Sequence, residues 1–141
     1  MILPDVNVLL YAFRRDSERH ADYRGWLEEV VNGDAAYGVS PQTLASLVRI
    51  STHRGIYVHP SSLREALDFC RAVVEPEHCA TVQPGPRHWG IFADLCEKAR
   101  ATGNLVQDAW FAALAIESGC EWVTTDRDYA RFPGLKWRPP L

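Results

Sequence analysis

Four short apolar segments alternate with longer segments of helical periodicity, and this alternation restricts the fold more than any other feature of the chain. The apolar segments fall at residues 1–4, 35–40, 79–83 and 121–125. Between them, apolar residues recur every three or four positions, as they do on the buried face of a helix. Short strands that alternate with helices are typical of a layered α/β fold with a parallel sheet. We expect that fold in one domain spanning residues 1–141.

Residue types with known end preferences predict where several helices begin. Ser40 suits an N-cap and Pro41 the first helical position, so a helix is expected to begin there. Residues 60–62, with the sequence Pro-Ser-Ser, predict the start of another helix. Asp16 or Ser17 is expected to cap an earlier helix.

Composition narrows the class of protein further. The chain is 47% hydrophobic, which is enough for an ordinary core, and its net charge is −3. This charge argues against a protein that holds nucleic acid mainly through bulk positive charge. It is compatible with an acidic site that binds a divalent metal and acts on a phosphate backbone.

The cysteines and the first residues bear on location. None of the four cysteines forms a C-x-x-C pair, and none has a histidine at metal-ligand spacing. We interpret them as reduced thiols of a cytoplasmic protein, since the alternative of a disulfide scaffold would need a secreted chain. The start of the chain lacks the basic segment of a signal peptide, and no apolar run has the length of a membrane span.

Three aspartates stand where a carboxylate is costly unless its charge is compensated. Asp5 directly follows the first apolar segment, and Asp126 follows the last one in the stretch WVTTDRDY. Asp108 lies at the edge of an apolar helical stripe. In open parallel sheets, sites form outside the carboxyl ends of the strands, where Asp5 and Asp126 are expected. A divalent cation would relieve the repulsion among three such carboxylates.

Each aspartate also has a simpler interpretation. Asp5 could cap the helix that follows it, and Asp126 could cap a turn before Arg127. Asp108 could be a solvated residue at the helix edge, and Asp128 is expected at the surface. The residue types alone leave these alternatives open.

Three segments, in order, resemble the PIN-domain family. They are PDVNVLLYA, GNLVQDAWFAALAIESGC and WVTTDRDYARFPGL. More narrowly, the chain is similar over essentially its whole length to the VapC-like toxin ribonucleases of type II toxin–antitoxin systems. The resemblance implies a PIN-like three-layer α/β fold, with a central parallel sheet flanked by helices. It also implies a metal-dependent endoribonuclease that acts as the toxin of a toxin–antitoxin pair.

The resemblance further implies roles for individual residues. The carboxylates expected to hold Mg²⁺ (or Mn²⁺) and to act in catalysis are Asp5, Asp108 and Asp126. The residues expected to support them in a second layer are Asn7, Thr124 and Asp128. The basic residues considered for contact with substrate phosphates are Arg49, Arg54 and Arg127.

Ser46 departs from the family pattern. Many relatives carry a glutamate in an A-E-x-x-R setting of the third helix, whereas the stretch LASLVRI places Ser46 at that position. Because serine supplies no negative charge, the site would bind metal more weakly, hold one ion instead of two, or use water in place of the ligand. An alternative is therefore a degenerate PIN domain that binds RNA or an antitoxin without cleavage.

The resemblance also implies partners. They are an RNA substrate, a small antitoxin protein and a second copy of the chain in a homodimer, with no membrane. The apolar helices around Trp26 and residues 63–70 are candidate surfaces for these contacts. A metal-dependent phosphatase of another α/β fold is less favoured, because the first strand would then end in a D-x-D motif and Asp5-Val6-Asn7 lacks the second aspartate.

Overall fold

The computed structural model describes all 141 residues and contains one sheet of five parallel strands in the order β3-β2-β1-β4-β5. The strands are β1 (Ile2–Pro4), β2 (Tyr37–Val39), β3 (Cys79–Thr81), β4 (Glu121–Val123) and β5 (Trp137–Arg138). The helices are α1 (Val6–Phe13), α2 (His20–Asn32), α3 (Pro41–Ser51), α4 (Leu63–Val74), α5 (His88–Ala99) and α6 (Asn104–Ser118). A short 3₁₀ helix spans Arg127–Arg131. The predicted parallel α/β architecture is confirmed.

Apolar side chains form two separate cores, one on each face of the sheet. Neighbouring residues of β4 illustrate the arrangement, because successive side chains of a strand point to opposite faces. Trp122 packs into the core formed with α5 and α6, whereas Val123 packs into the core beneath α1 to α4. The two cores with a sheet between them make the three layers that the resemblance implied.

The centre of the sheet is a point where the direction of winding changes. From β1 the chain moves to β2 and β3 on one side, and later to β4 and β5 on the other. Pro4 pairs with Val123, so the residues that follow them, Asp5 and Thr124, come together at the carboxyl edge. Ligand sites of open α/β sheets form at such a place.

The start of α2 differs from the prediction. The cap expected at Asp16 or Ser17 was wrong, because the helix begins at His20 after Arg19, which makes no capping hydrogen bond from its side chain. Asp16 instead accepts two hydrogen bonds from the buried Arg14, the shorter of 2.6 Å. The ion pair with Arg14 therefore occupies the carboxylate that was expected to cap the helix.

Other predicted helix ends agree with the structure. Ser40 caps α3 through the backbone N–H of Gln42, and Ser62 forms a reciprocal capping box with Glu65 at the start of α4. α6 follows Gly103, whose φ of +59° is one that residues with a side chain rarely adopt.

The four cysteines are unpaired, and none of the helices has the length and apolar character to cross a membrane.

Candidate active site

Asp5 is buried at the carboxyl end of β1 and is held by two hydrogen bonds. Its Oδ1 accepts from the backbone N–H of Val6 at 2.6 Å, which also makes Asp5 the N-cap of α1. Its Oδ2 accepts from the hydroxyl of Thr124 at 2.7 Å. The capping interpretation and the site interpretation therefore both hold, because the two oxygens have different partners.

Thr124 connects the first and last segments of the site. It is fully buried, and its hydroxyl oxygen donates to Asp5 while it accepts from Asn7 Nδ2 at 3.3 Å and from the backbone N–H of Asp126 at 3.1 Å. One hydroxyl group thus contacts three of the residues that the sequence placed in the site. Thr124 orients Asp5 directly and fixes the path of the backbone into Asp126.

Asp126 and Asp128 lie at the start of the 3₁₀ helix but have different environments. Asp126 caps that helix, since its Oδ1 accepts from the backbone N–H of Asp128 at 2.8 Å. The Asp128 side chain is mostly exposed and lies 3.8 Å from the guanidinium of Arg131. Asp128 therefore lies at the surface beside the site, as its simpler interpretation had it, and of the second-layer role that the resemblance implied only a backbone N–H contact with Asp126 is seen.

Asp108 approaches from the opposite layer, on the second turn of α6. It is partly buried, and its Oδ1 is 3.5 Å from the hydroxyl of Tyr129, a long hydrogen bond in which Tyr129 donates. Tyr129 is itself buried on the 3₁₀ helix. The helix-borne carboxylate is thus tied to the segment that carries Asp126.

The carboxylates affect one another's ionisation. The pKa of Asp5 is raised from 3.8 to about 6, because burial and, to a smaller extent, the charges of Asp108 and Asp126 outweigh the hydrogen bonds from Thr124 and Val6, which lower it. Burial also raises the pKa of Asp108 to about 6, and the negative charge of Asp126 adds to that effect. Neither Asp5 nor Asp108 nor Asp126 has an arginine or lysine in ion-pair contact. The site therefore carries negative charge without a cationic side chain to balance it.

The donor atoms of this site suit a hard divalent cation. Asp5, Asp108, Asp126 and Asn7 all offer oxygen, the ligand that Mg²⁺ and Mn²⁺ prefer. The Oδ1 atom of Asn7 is buried and has no hydrogen-bond partner in the protein. No three His, Cys, Asp or Glu side chains converge closely enough to form a complete metal site by themselves. Coordination would therefore draw on further oxygens, such as Asn7 Oδ1 and water.

The candidate basic residues are not all near these carboxylates. Arg127 directly follows Asp126 and is exposed. α3 begins at the carboxyl edge and runs away from it, so Arg49 on its last turn is about 13 Å further along the helix axis. Arg54 lies beyond the end of that helix. Ser46 occupies the middle of α3 and is partly buried.

Tyr129 is the site residue that the sequence analysis missed. Burial and the charges of the three carboxylates raise its pKa well above the ordinary value, so its hydroxyl stays protonated and available as a donor. The signal available in the sequence was its position, three residues after a capping aspartate and at the buried face of a turn. Its partner, Asp108, is 21 residues away in the chain, and only the folded structure shows the contact.

Comparison with known proteins shows which sequences this chain is similar to. The sequence model of the PIN domain matches residues 2–135. Two similar curated proteins are ribonuclease VapC43 and ribonuclease VapC31 of Mycobacterium tuberculosis, each 40% identical over the whole of this chain and covering 96% and 100% of their own lengths.

Solved structures agree on the fold. VapBC2 from Rickettsia felis, bound to a DNA fragment from its promoter, has a TM-score of 0.69 at 19% identity, covering 99% of this chain and 98% of that one. The Mycobacterium tuberculosis toxin VapC20, described as cleaving the sarcin-ricin loop, has a TM-score of 0.64 at 13% identity, covering 96% and 99%.

Proposed function

The chain belongs to the PIN-domain family and, within it, to the VapC ribonucleases, and from this premise we propose that it is a divalent-metal-dependent endoribonuclease that acts as the toxin of a toxin–antitoxin pair. The observation that carries the proposal is that Asp5, Asp108 and Asp126 lie near enough for the charge of Asp126 to raise the pKa of both Asp5 and Asp108, with no cationic side chain in contact to balance them. A cluster of this kind is costly for the fold, and a bound cation removes that cost.

Asp5 and Asp108 would hold Mg²⁺ or Mn²⁺, and Asp126 would complete the acidic pocket. A bound ion of this type neutralises charge on the scissile phosphate and makes a water molecule more acidic. Thr124 keeps Asp5 in one orientation, and Tyr129 does the same for Asp108. The carboxylate oxygens left free by these contacts orient the attacking water through hydrogen bonds.

The RNA strand needs positive charge beside this pocket. Arg127 is the best placed of the candidate arginines, because it adjoins Asp126, is exposed and makes no ion pair. Arg49 and Arg54 are exposed at the far end of α3, so they would contact a more distant part of the substrate. Arginine suits this role because its planar group binds phosphate with two hydrogen bonds.

A cognate antitoxin is the proposed protein partner. Solved structures of similar fold include DNA-bound VapBC from Salmonella typhimurium and FitAcB from Neisseria gonorrhoeae. The chain has a groove of about 950 Å³ between the end of α1, α2 and α4. Its apolar lining includes Phe13, Leu27, Val31 and Phe69, and charged residues surround them. A groove of this composition suits an amphipathic helix.

A second copy of the chain is the other proposed partner. α4 exposes 59% of Leu63 and 37% of Leu67, which lie one turn apart on the same side of the helix. Pairing of this face would remove both side chains from water.

The proposed cellular location is the cytoplasm. The four unpaired cysteines agree with it, because the cytoplasm is a reducing compartment.

The alternative of a degenerate domain that binds without cleavage is not supported. The two curated relatives described above, which match over the full length of this chain, are both named ribonucleases. Ser46 stands where many relatives carry a glutamate, but the chain keeps Asp5, Asp108 and Asp126.

The first experiment is cleavage of total RNA by the purified protein with Mn²⁺, with Mg²⁺ and with EDTA, beside Asp5→Asn. We expect cutting that needs the metal and disappears in the variant, whose folding is checked by circular dichroism. The absence of metal-dependent cutting from total RNA and from purified ribosomal and transfer RNA would overturn the proposal.

A further inference from the structure

A cavity of about 360 Å³ lies between the first turn of α3 and the first two turns of α6, which is also the helix that carries Asp108. Its volume is within the range of roughly 300–1,000 Å³ that is typical of small-ligand sites. The residues that line it are uncharged: Gln42, Gly103, Asn104, Val106, Gln107 and Trp110.

Three side-chain amides line this cavity and have no hydrogen-bond partner within the protein. Gln42, Asn104 and Gln107 are exposed, and their amide groups make no hydrogen bond to another part of the chain. Each amide offers two donor hydrogens and one acceptor oxygen. The cavity therefore presents several unpaired donors and acceptors and no net charge.

An aromatic ring completes the lining. Trp110 is partly buried, and its ring is fixed by edge-on packing against His88 at 4.9 Å and Phe111 at 5.1 Å between ring centroids. A fixed indole beside free amides is the combination by which proteins stack a nucleobase and hydrogen-bond its edge. A phosphate would find no cation here, so the lining favours a neutral heteroaromatic group.

The cavity and Asp108 lie on the same helix, with Asn104 on the side of Asp108 and Trp110 about 160° around the helix from it. Asn104 and Asp108 are four residues apart on α6, so they share one side of the helix about 6 Å apart along its axis. Gly103 has no side chain, which leaves the entrance on that side open. A strand of RNA whose phosphate lies at Asp108 can therefore place a neighbouring base at Asn104.

We propose that this cavity is a nucleobase-binding subsite, in which Gln42, Asn104 and Gln107 recognise the edge of an RNA base next to the scissile phosphate and Trp110 stacks on it. The inference rests on the proposed ribonuclease function and adds to it the group that selects where RNA is cut. Gln42 and Asn104 come from different helices, so the subsite exists only in the folded chain.

Nuclear magnetic resonance of the ¹⁵N-labelled full chain in EDTA tests the proposal without any catalysis. Adenosine, cytidine, guanosine, uridine and ribose are titrated in turn, and the side-chain N–H signals of Gln42, Asn104, Gln107 and Trp110 are followed. Nucleosides serve as probes because the acidic site repels a phosphate when no metal is present. We expect one base to bind at least about 5-fold more tightly than the weakest, which is the discrimination of one good bidentate contact.

Two variants give the comparison. Gln42→Ala removes one exposed amide and is expected to weaken the preferred nucleoside by about 5-fold or more. Gln83→Ala, an exposed glutamine outside the cavity, is expected to bind like the wild type. Equal response to ribose and to all nucleosides, or signals that move only elsewhere in the chain, would overturn the proposal.

Cleavage maps keep this proposal separate from the nuclease proposal. RNA with randomised positions is cut with Mn²⁺ by the wild type and by Gln42→Ala, and we expect the base preference at one position beside the cut to change. Cutting with the same preference in both proteins would overturn the subsite and leave the nuclease standing. Base-selective binding by a chain that cuts no RNA would support the subsite and count against the nuclease.

Discussion

The hydroxyl of Thr124 donates a 2.7 Å hydrogen bond to the carboxylate of Asp5, which lies 119 positions earlier in the chain. The contact joins the ends of the two central strands and is shielded from water, since both residues are buried. A carboxylate held in this way keeps one orientation before substrate arrives. The proposed catalytic role of Asp5 therefore depends on a residue that has no acid–base chemistry of its own at neutral pH.

Thr124→Val keeps the shape of the side chain and removes the hydroxyl, so Asp5 Oδ2 loses its donor. We expect the free energy of unfolding to fall by about 1–3 kcal/mol, because a buried acceptor is left unpaired. The pKa of Asp5 should rise further, since the Thr124 hydrogen bond lowers it. Urea unfolding measures the stability and the pH profile of RNA cleavage measures the pKa of Asp5, and Thr124→Ser, which keeps the hydroxyl, is the control. Wild-type stability and cleavage in Thr124→Val would contradict the role of the hydroxyl.

Asp108→Asn should remove activity without harming the fold. The substitution keeps the size of the side chain but removes a metal ligand, and we expect cleavage to fall by about 100-fold or more, as it does when one preorganised electrostatic group is lost. Asp94→Asn is the matched control, because Asp94 is an exposed aspartate on the neighbouring helix, paired with Lys98. Cleavage by Asp108→Asn at the rate of that control would remove Asp108 from the site.

Asp108→Asn should also differ from the wild type in how its stability depends on pH when no metal is present. The pKa of Asp108 is raised from 3.8 to about 6, so the folded chain binds a proton there more readily than the unfolded chain does. The stability that comes from protonated Asp108 is present below pH 4 and is lost as the pH rises through 6. Asn cannot ionise, so Asp108→Asn should be more stable than the wild type by about 1–2 kcal/mol at pH 7.5, after allowance for partial solvent screening.

The measurement is urea unfolding of both proteins in EDTA at pH 4.5 and pH 7.5. The difference between the two proteins should be larger at pH 7.5, and this comparison cancels the titration of groups elsewhere. A difference that does not change with pH would show that Asp108 ionises normally in the folded chain.

Ser46→Glu restores the carboxylate that many relatives carry. If Ser46 faces the pocket, we expect the affinity for Mn²⁺ to increase, because a fourth acidic oxygen donor is added to the site. Isothermal titration of Mn²⁺ into Ser46→Glu and into Ser46→Gln separates the effect of charge from that of size. Unchanged affinity in both variants would show that this face of α3 does not reach the metal.

The groove between α1, α2 and α4 provides the last prediction. Ala72 lines it and is exposed, so Ala72→Arg should leave the fold intact while placing a long charged side chain in the path of a docked helix. We expect co-purification with the cognate antitoxin to be lost or weakened by about 10-fold or more, the effect of roughly 1.4 kcal/mol. Ala101→Arg, away from the groove, is the control, and equal capture by both variants would place the antitoxin elsewhere.

Much of the fold follows from local signals in the chain. Apolar segments of strand length and the Ser40 and Ser62 caps each act within a few residues, so they predict their elements correctly. The cap predicted for α2 was wrong because Arg14 forms an ion pair with Asp16. The Arg14 guanidinium also donates to the carbonyl of His59, 45 positions later. A contact that distant is not visible in a local pattern.

The sequence by itself determined where the candidate carboxylates of this protein lie, because strand ends and helix periodicity place Asp5, Asp108 and Asp126 near one edge of a parallel sheet. Only the tertiary structure decided how these carboxylates are held. Thr124 contacts Asp5 because β1 and β4 pair in one register, and a shift of one residue would turn the side chains to the other face. The contact of Tyr129 with Asp108 likewise depends on the packing of α6 against the 3₁₀ helix. Such contacts arise from the geometry of elements that are distant in the chain, and no local preference encodes them.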